Sequence, residues 1–207
     1  MLHSHKHLKL TFTLMENSLF STTLRSNFQL SENAIEHLKF RIKKIKPQKG
    51  SILHWPDEIC KHIYFIETGV LRTFSITEKG EETLDFAVAG NFSTLTYSFL
   101  CQQKTDLGLS CEGNCLLFAL SYYDLMALCD DMVEFLFVYN RVLQHYLLKL
   151  TAQQHHFRTA NALQRLKYLL QECPTLNVQF KHKHIASYLG IAPQSFTRML
   201  KEYFSKS

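Results

Sequence analysis

The chain has 207 residues, 46% of them apolar and 13% aromatic, which excludes a disordered protein and leaves room for one or two packed domains. Its net charge is +5, yet residues 155–207 carry eight Lys and Arg against two Glu, or +6, so residues 1–154 sum to −1. The excess lies in the last quarter, which excludes a uniformly basic surface and suits a polyanionic partner for that end alone.

Residues 1–25 read as an N-terminal arm. The alternating His3, His5 and His7 are taken as part of a polar terminus rather than as metal ligands. The start of the chain lacks the apolar core of a secretory signal, and no apolar run elsewhere reaches the ~18 residues of a membrane span. A cytoplasmic protein with no membrane partner is expected. Ser31 suits an N-cap and Leu30 with Ile35 suits a hydrophobic staple, which predicts a helix from there to about Lys44, ending before Pro47.

From Lys46 to Leu120 the period becomes that of strands. GSILHW, HIYFIETG, VLRTFSIT, TLDFAV, LGLSCEG and CLLFALS alternate with turns, including a hairpin at Glu78–Glu82 and a short helix within Phe92 to Leu100. Many short strands in series suggest a sandwich or a barrel-like roll over residues 26–121. Six cysteines occur without a CxxC pair and read as reduced thiols. Cys111 and Cys115 have even spacing and would share a strand face. A thiol switch or half of a metal site is one reading. A turn around Gly113 with two semi-buried thiols is preferred, because no nearby charge pattern would lower a thiol pKa.

The period turns helical from Tyr122 to Gln154. Leu128, Met132, Phe135, Tyr139, Val142 and Tyr146 recur in four- and three-residue steps as a heptad seam, and Leu136, Leu143, Leu147 and Leu150 form a second stripe. One stripe can pack on the roll and the other on a second copy, so residues 122–154 are expected to be a dimerisation helix. The plainer alternative is one amphipathic helix packed wholly within its own chain. A further helix is expected over about Thr159 to Glu172, ahead of Pro174 and a strand-like LNVQF.

His182 to Lys201, HKHIASYLGIAPQSFTRMLK, has the pattern of a helix-turn-helix. Ala186 sits at the close crossing of two helices, and Gly190 falls where a left-handed backbone is needed. Ile185, Leu189, Ile191, Phe196 and Met199 point inward, and Pro193 opens the second helix at its first position. Ala192 at the N-cap, in place of Ser or Thr, costs about 1 kcal/mol of helix stability. Residues 155–207 are therefore expected to bind double-stranded DNA. Gln194 and Arg198 suit adenine and guanine edges, with Ser195 beside them. Thr197, Lys201, His182 and Lys183 are placed to meet phosphates. A tri-helical packing unit that never touches DNA is the alternative for this segment.

The order of helix, roll, long helix and helix-turn-helix resembles the CRP/FNR family of bacterial transcription regulators. KPQKGSILHWPDE, HIYFIETGVLRTF, EKGEETLDFAVAGNF and HIASYLGIAPQSFTRMLK carry the resemblance, and IASYLGI before a Pro-led helix is especially like members found in Bacteroidetes. The resemblance implies an α+β fold: a cyclic-nucleotide-binding-like β-roll, a long dimerisation helix and a C-terminal helix-turn-helix. It implies a non-enzymatic homodimer on a palindromic operator, with an unknown small-molecule effector, and with RNA polymerase as a partner if the protein activates.

Departures from the family matter as much. Its cyclic-nucleotide binders hold the phosphate in a cassette with Gly-Glu near the start and Arg near the end, whereas this chain has Gly90-Asn91 and no Arg between Arg72 and Arg141, with Lys104 as the one cation between Gly90 and Arg141. A buried cyclic phosphate wants a guanidinium, so cyclic AMP and cyclic GMP are not expected as effectors. No Cys precedes Cys60, which argues against the iron–sulfur cluster of the family's oxygen sensors, and no cofactor is expected. The chain stops at Ser207, so any wing would have to come from about Leu176 to Phe180. The rival class is a cupin-like metal-dependent enzyme with His54, His62 and Glu67 as ligands, though no His lies between His62 and His145. A ligand-free protein-interaction module on the same roll is a further alternative.

Overall fold

A computed structural model describes residues 18–78, 80–173 and 180–205. His3, His5 and His7 and most of the LNVQF segment lie outside the described residues.

Among the described residues, eight strands form two antiparallel four-stranded sheets. One has the order β1 (Lys43–Ile45), β8 (Leu116–Ser121), β3 (His62–Thr68), β6 (Phe92–Ser93). The other has the order β2 (Ile52–His54), β7 (Leu107–Cys111), β4 (Val70–Thr77), β5 (Gly80–Val88). The expected hairpin closes with Thr77 opposite Gly80. The alternating apolar residues of the strands meet between the sheets and under the helices, with Phe20, Phe65 and Phe118 in ring contact at 4.8–4.9 Å.

The expected arm is packed from Ser18 onward. Helix α1 (Leu19–Thr22) is capped by Ser18, and both oxygens of Glu67 accept from the Leu19 and Phe20 N–H groups, at 2.7 and 2.9 Å. A carboxylate at that end satisfies donors that the helix itself leaves orphaned. A π-helical turn follows over Thr23–Asn27, and Phe20 and Leu24 are each only 2% exposed. Ser31 caps α2 (Glu32–Lys39) as expected, but the helix ends short of Lys44. Residues Lys43–Ile45 instead pair with β8 as an edge strand. Cross-strand pairing wins there over local helix propensity. The short helix expected within Phe92 to Leu100 is α3 (Thr96–Cys101), because Phe92 and Ser93 are taken up in pairing with β3.

The single helix expected from Tyr122 is two. Helix α4 (Tyr122–Asp131) stops at Met132, whose backbone is extended, and α5 (Val133–Thr159) follows. Asp130 and Asp131 end α4, where carboxylates oppose the helix dipole, while Glu134 suits the first turn of α5. Arg41 holds Asp131 outward at 2.8 Å. The heptad seam thus serves the chain's own core: Leu128 and Phe135 are buried, with Met132, Val138 and Tyr139 packed beside them. Asn161 and Gln164 build a capping box for α6 (Ala162–Glu172), so that helix begins just after the expected Thr159. The last helices are α7 (His182–Leu189) and α8 (Pro193–Ser205).

Candidate nucleic-acid interface

The tight turn between α7 and α8 is built as the residue pattern requires. Gly190 has φ +69° and the Ile191 N–H reaches back to the Ala186 carbonyl at 3.0 Å, closing α7 in a left-handed cap. Ile185, Ala186, Leu189 and Phe196 are almost wholly buried, joined by Leu166 and Leu169 of α6. Arg165 of α6 donates to the Leu189 carbonyl at 3.3 Å, which braces the turn. At the start of α8 the Ala192 carbonyl accepts from the Phe196 N–H at 3.1 Å.

With the apolar residues spent on this core, the polar ones face solvent. Gln194, Ser195, Thr197, Arg198 and Lys201 are exposed along α8, and His182 and Lys183 are exposed at the start of α7. Gln194, Arg198 and Lys201 follow one another at four- and three-residue steps and so share one helix face. The Thr197 hydroxyl donates to the Pro193 carbonyl of its own helix at 3.1 Å. The His182 ring lies edge-on to Phe196 at 5.3 Å, so this residue also covers the core.

The helix pair rests on the roll through residues that sequence reasoning missed. Glu112, in the turn after β7, places Oε1 2.7 Å from His184 Nδ1 and 3.0 Å from Arg72 Nε. Arg72 Nη2 donates to Glu81 at 2.6 Å. Arg72 and Glu112 are each 3% exposed. Beside them the Thr83 N–H donates to Ser187 at 2.9 Å, Phe86 packs on Phe180 and Tyr188, and Asp85 accepts from Lys149 and Gln153 of α5. Burial pushes the Glu112 carboxyl up, but the His184 hydrogen bond and the charges of His184 and Arg72 outweigh it and hold the group below the usual carboxylate range. One sequence signal existed: Arg72 interrupts the apolar run VLRTF, and a buried charge requires a partner.

His54 and His62 do line one cleft, with Cys60, Lys61 and Lys104 among its walls. Glu67 does not join them, because it caps α1. Among the described residues no three His, Cys, Asp or Glu side chains are grouped to hold a metal ion. No described helix is long and apolar enough to cross a membrane. Of the second stripe along α5, Leu136, Leu147 and Leu150 are exposed, Leu147 at 64%, while Leu143 is half-buried; Phe137 and Leu148, the latter 70% exposed, lie beside it.

Residues 44–132 match the cyclic nucleotide-binding domain family. No curated protein matches the chain by sequence. Solved structures match by shape. FixK2 from Bradyrhizobium japonicum is 15% identical, with 80% of this chain and 85% of that one covered at a TM-score of 0.66. A putative transcriptional regulator of the crp/fnr family from Eubacterium rectale is 18% identical, with 87% and 89% covered at 0.65. The c-di-GMP responsive global regulator CLP of Xanthomonas campestris is 16% identical, with 85% and 93% covered at 0.64. The chain thus shares the fold of these structures, a roll that matches the cyclic nucleotide-binding domain family followed by helices that end in a helix-turn-helix pair.

Proposed function

We propose that the chain is a transcription regulator of the CRP/FNR type, a homodimer that reads a palindromic operator through α8. The observation that carries this reading is the pairing of a well-packed helix-turn-helix core with an outward face of Gln194, Ser195, Arg198 and Lys201. Gln194 and Arg198 read base edges, with Ser195 alongside. Thr197, Lys201, His182 and Lys183 hold phosphates and set the register. The net +6 of residues 155–207 supplies the attraction to the backbone. Residues 26–121 then form the sensing roll and residues 155–207 the DNA-binding domain, with RNA polymerase as the further partner of an activator.

The exposed apolar stripe of α5 is the dimer surface in this reading. A helix of 27 residues spans about 40 Å, enough for its twin to lie alongside and set two recognition helices about 34 Å apart. Changing Leu147 and Leu148 together to Asp converts a dimer to a monomer in sedimentation velocity. A variant that still sediments with the wild type removes α5 from the interface.

The effector is something other than cyclic AMP or cyclic GMP. The one Arg of the roll's strands, Arg72, is engaged by Glu81 and Glu112 and stacked 4.6 Å over Phe74, so it supports the docked helices rather than a ligand phosphate. Arg198→Ala tests the recognition assignment: it costs about 1–3 kcal/mol of operator affinity and relaxes preference at one base pair. In fluorescence anisotropy titrations, unchanged affinity and unchanged preference would reject the assignment.

A further inference from the structure

Strand β3 serves two different spaces. His62 and Tyr64, on one face, line the polar cleft with His54, while Ile63 and Phe65, on the other, line an apolar cavity of about 60 Å³. That cavity lies under the helices, with Phe20 of α1, Leu38 of α2 and Leu125 of α4 among its walls. Helix α5 closes it with Phe135, Val138, Tyr139 and Val142, which recur at the three- and four-residue steps of one helix face. Among the described residues that line it, Tyr139 alone has a polar atom in its side chain. A second cavity of about 30 Å³ adjoins it, and Ile63, Phe92, Tyr139 and Val142 line both.

Protein interiors seldom leave spaces wider than a water molecule. Water is a poor guest here, because a buried water wants about three polar partners and these walls present almost no polar surface. An apolar cavity of about 150 Å³ takes up benzene, so by proportion the larger cavity suits about two or three non-hydrogen atoms, and the pair about four.

We propose that this cavity binds a small apolar molecule of up to about four non-hydrogen atoms, a dissolved gas or a short hydrocarbon, and that its occupancy braces α5 against the roll. The guest gains dispersion contacts with Phe, Leu, Ile and Val side chains on every side. Charged molecules are refused, since nothing on these walls compensates a buried charge. The four wall residues of α5 span two of its turns, and further along the same helix Lys149 and Gln153 hold Asp85 of β5. A guest that tightens the first half of α5 on the roll therefore acts on the helix that leads to α7 and α8. That this molecule is the effector of DNA binding rests on the regulator reading; the binding itself does not.

The test is methyl NMR of the purified protein under xenon and, separately, under n-butane. The expected result is a saturable shift of the Leu24, Leu38, Val138 and Val142 methyls, while those of exposed Ile76 and Leu84 stay in place. Val142→Phe fills the shared wall and Leu24→Phe fills the opposite side. Each weakens xenon binding about tenfold, the share of roughly one ligand atom. Saturation by xenon alone supports a gas-sized guest, and saturation by both extends the site to short hydrocarbons. Folded protein whose cavity methyls saturate with neither overturns the proposal, as do shifts that both fillings leave unchanged. A filled cavity with the same retention of selected DNA as without xenon overturns the effector role alone. A filled cavity in a protein that never prefers any DNA sequence counts against the regulator reading instead.

Discussion

Glu112→Ala destabilises the folded protein by about 3–5 kcal/mol, the usual cost of removing one partner from a buried ion pair. Arg72 is left with half-exposed Glu81, and His184 loses the carboxylate it touches, inside an interface sealed by Phe86, Phe180 and Tyr188. Denaturant unfolding checks this, and a loss below about 1 kcal/mol would place the group among surface pairs. The effect also has a pH signature. A carboxyl held below its ordinary value of 4.5 contributes stability that is complete above that value and disappears as pH falls through the lower folded value. The gap between wild type and E112A is therefore full at neutral pH and narrows in acid. A gap that instead narrows as pH rises above neutrality would contradict the assignment.

Phe196→Ala removes a fully buried aromatic side chain from the helix-turn-helix core and costs about 3–5 kcal/mol. Phe196 is fully buried among Ile185, Ala186, Leu189 and Leu166, with the His182 ring against its edge. The variant melts at lower temperature by circular dichroism and loses operator affinity because α8 is no longer held at its angle. Arg198→Ala differs in kind, since Arg198 is exposed and its loss leaves the melt unchanged. A Phe196→Ala protein that melts with the wild type would mean that α7 and α8 do not share this core.

The helix-turn-helix was legible because its requirements are local. Gly190 must turn left-handed, Pro193 suits a first helical position, and Ala186 must be small, all within about three turns of chain. The strands were legible from alternation, and the exposed stripe of α5 from its spacing. The break at Met132 was not, because the apolar seam runs straight across it, and the cause lies in two carboxylates at the end of α4 and a salt bridge to Arg41. Nor was the early end of α2, where an edge of β8 far along the chain recruits Lys43–Ile45. The buried cluster of Arg72, Glu81, Glu112 and His184 joins residues up to 112 positions apart, and no periodicity connects them.

The measurement that tests the central claim most directly is selection from random duplex DNA by the purified protein at physiological salt. A palindromic consensus, with half-sites about one helical turn apart, is the predicted result. Retention that depends on salt but not on sequence would contradict the reading of α8 as a recognition helix.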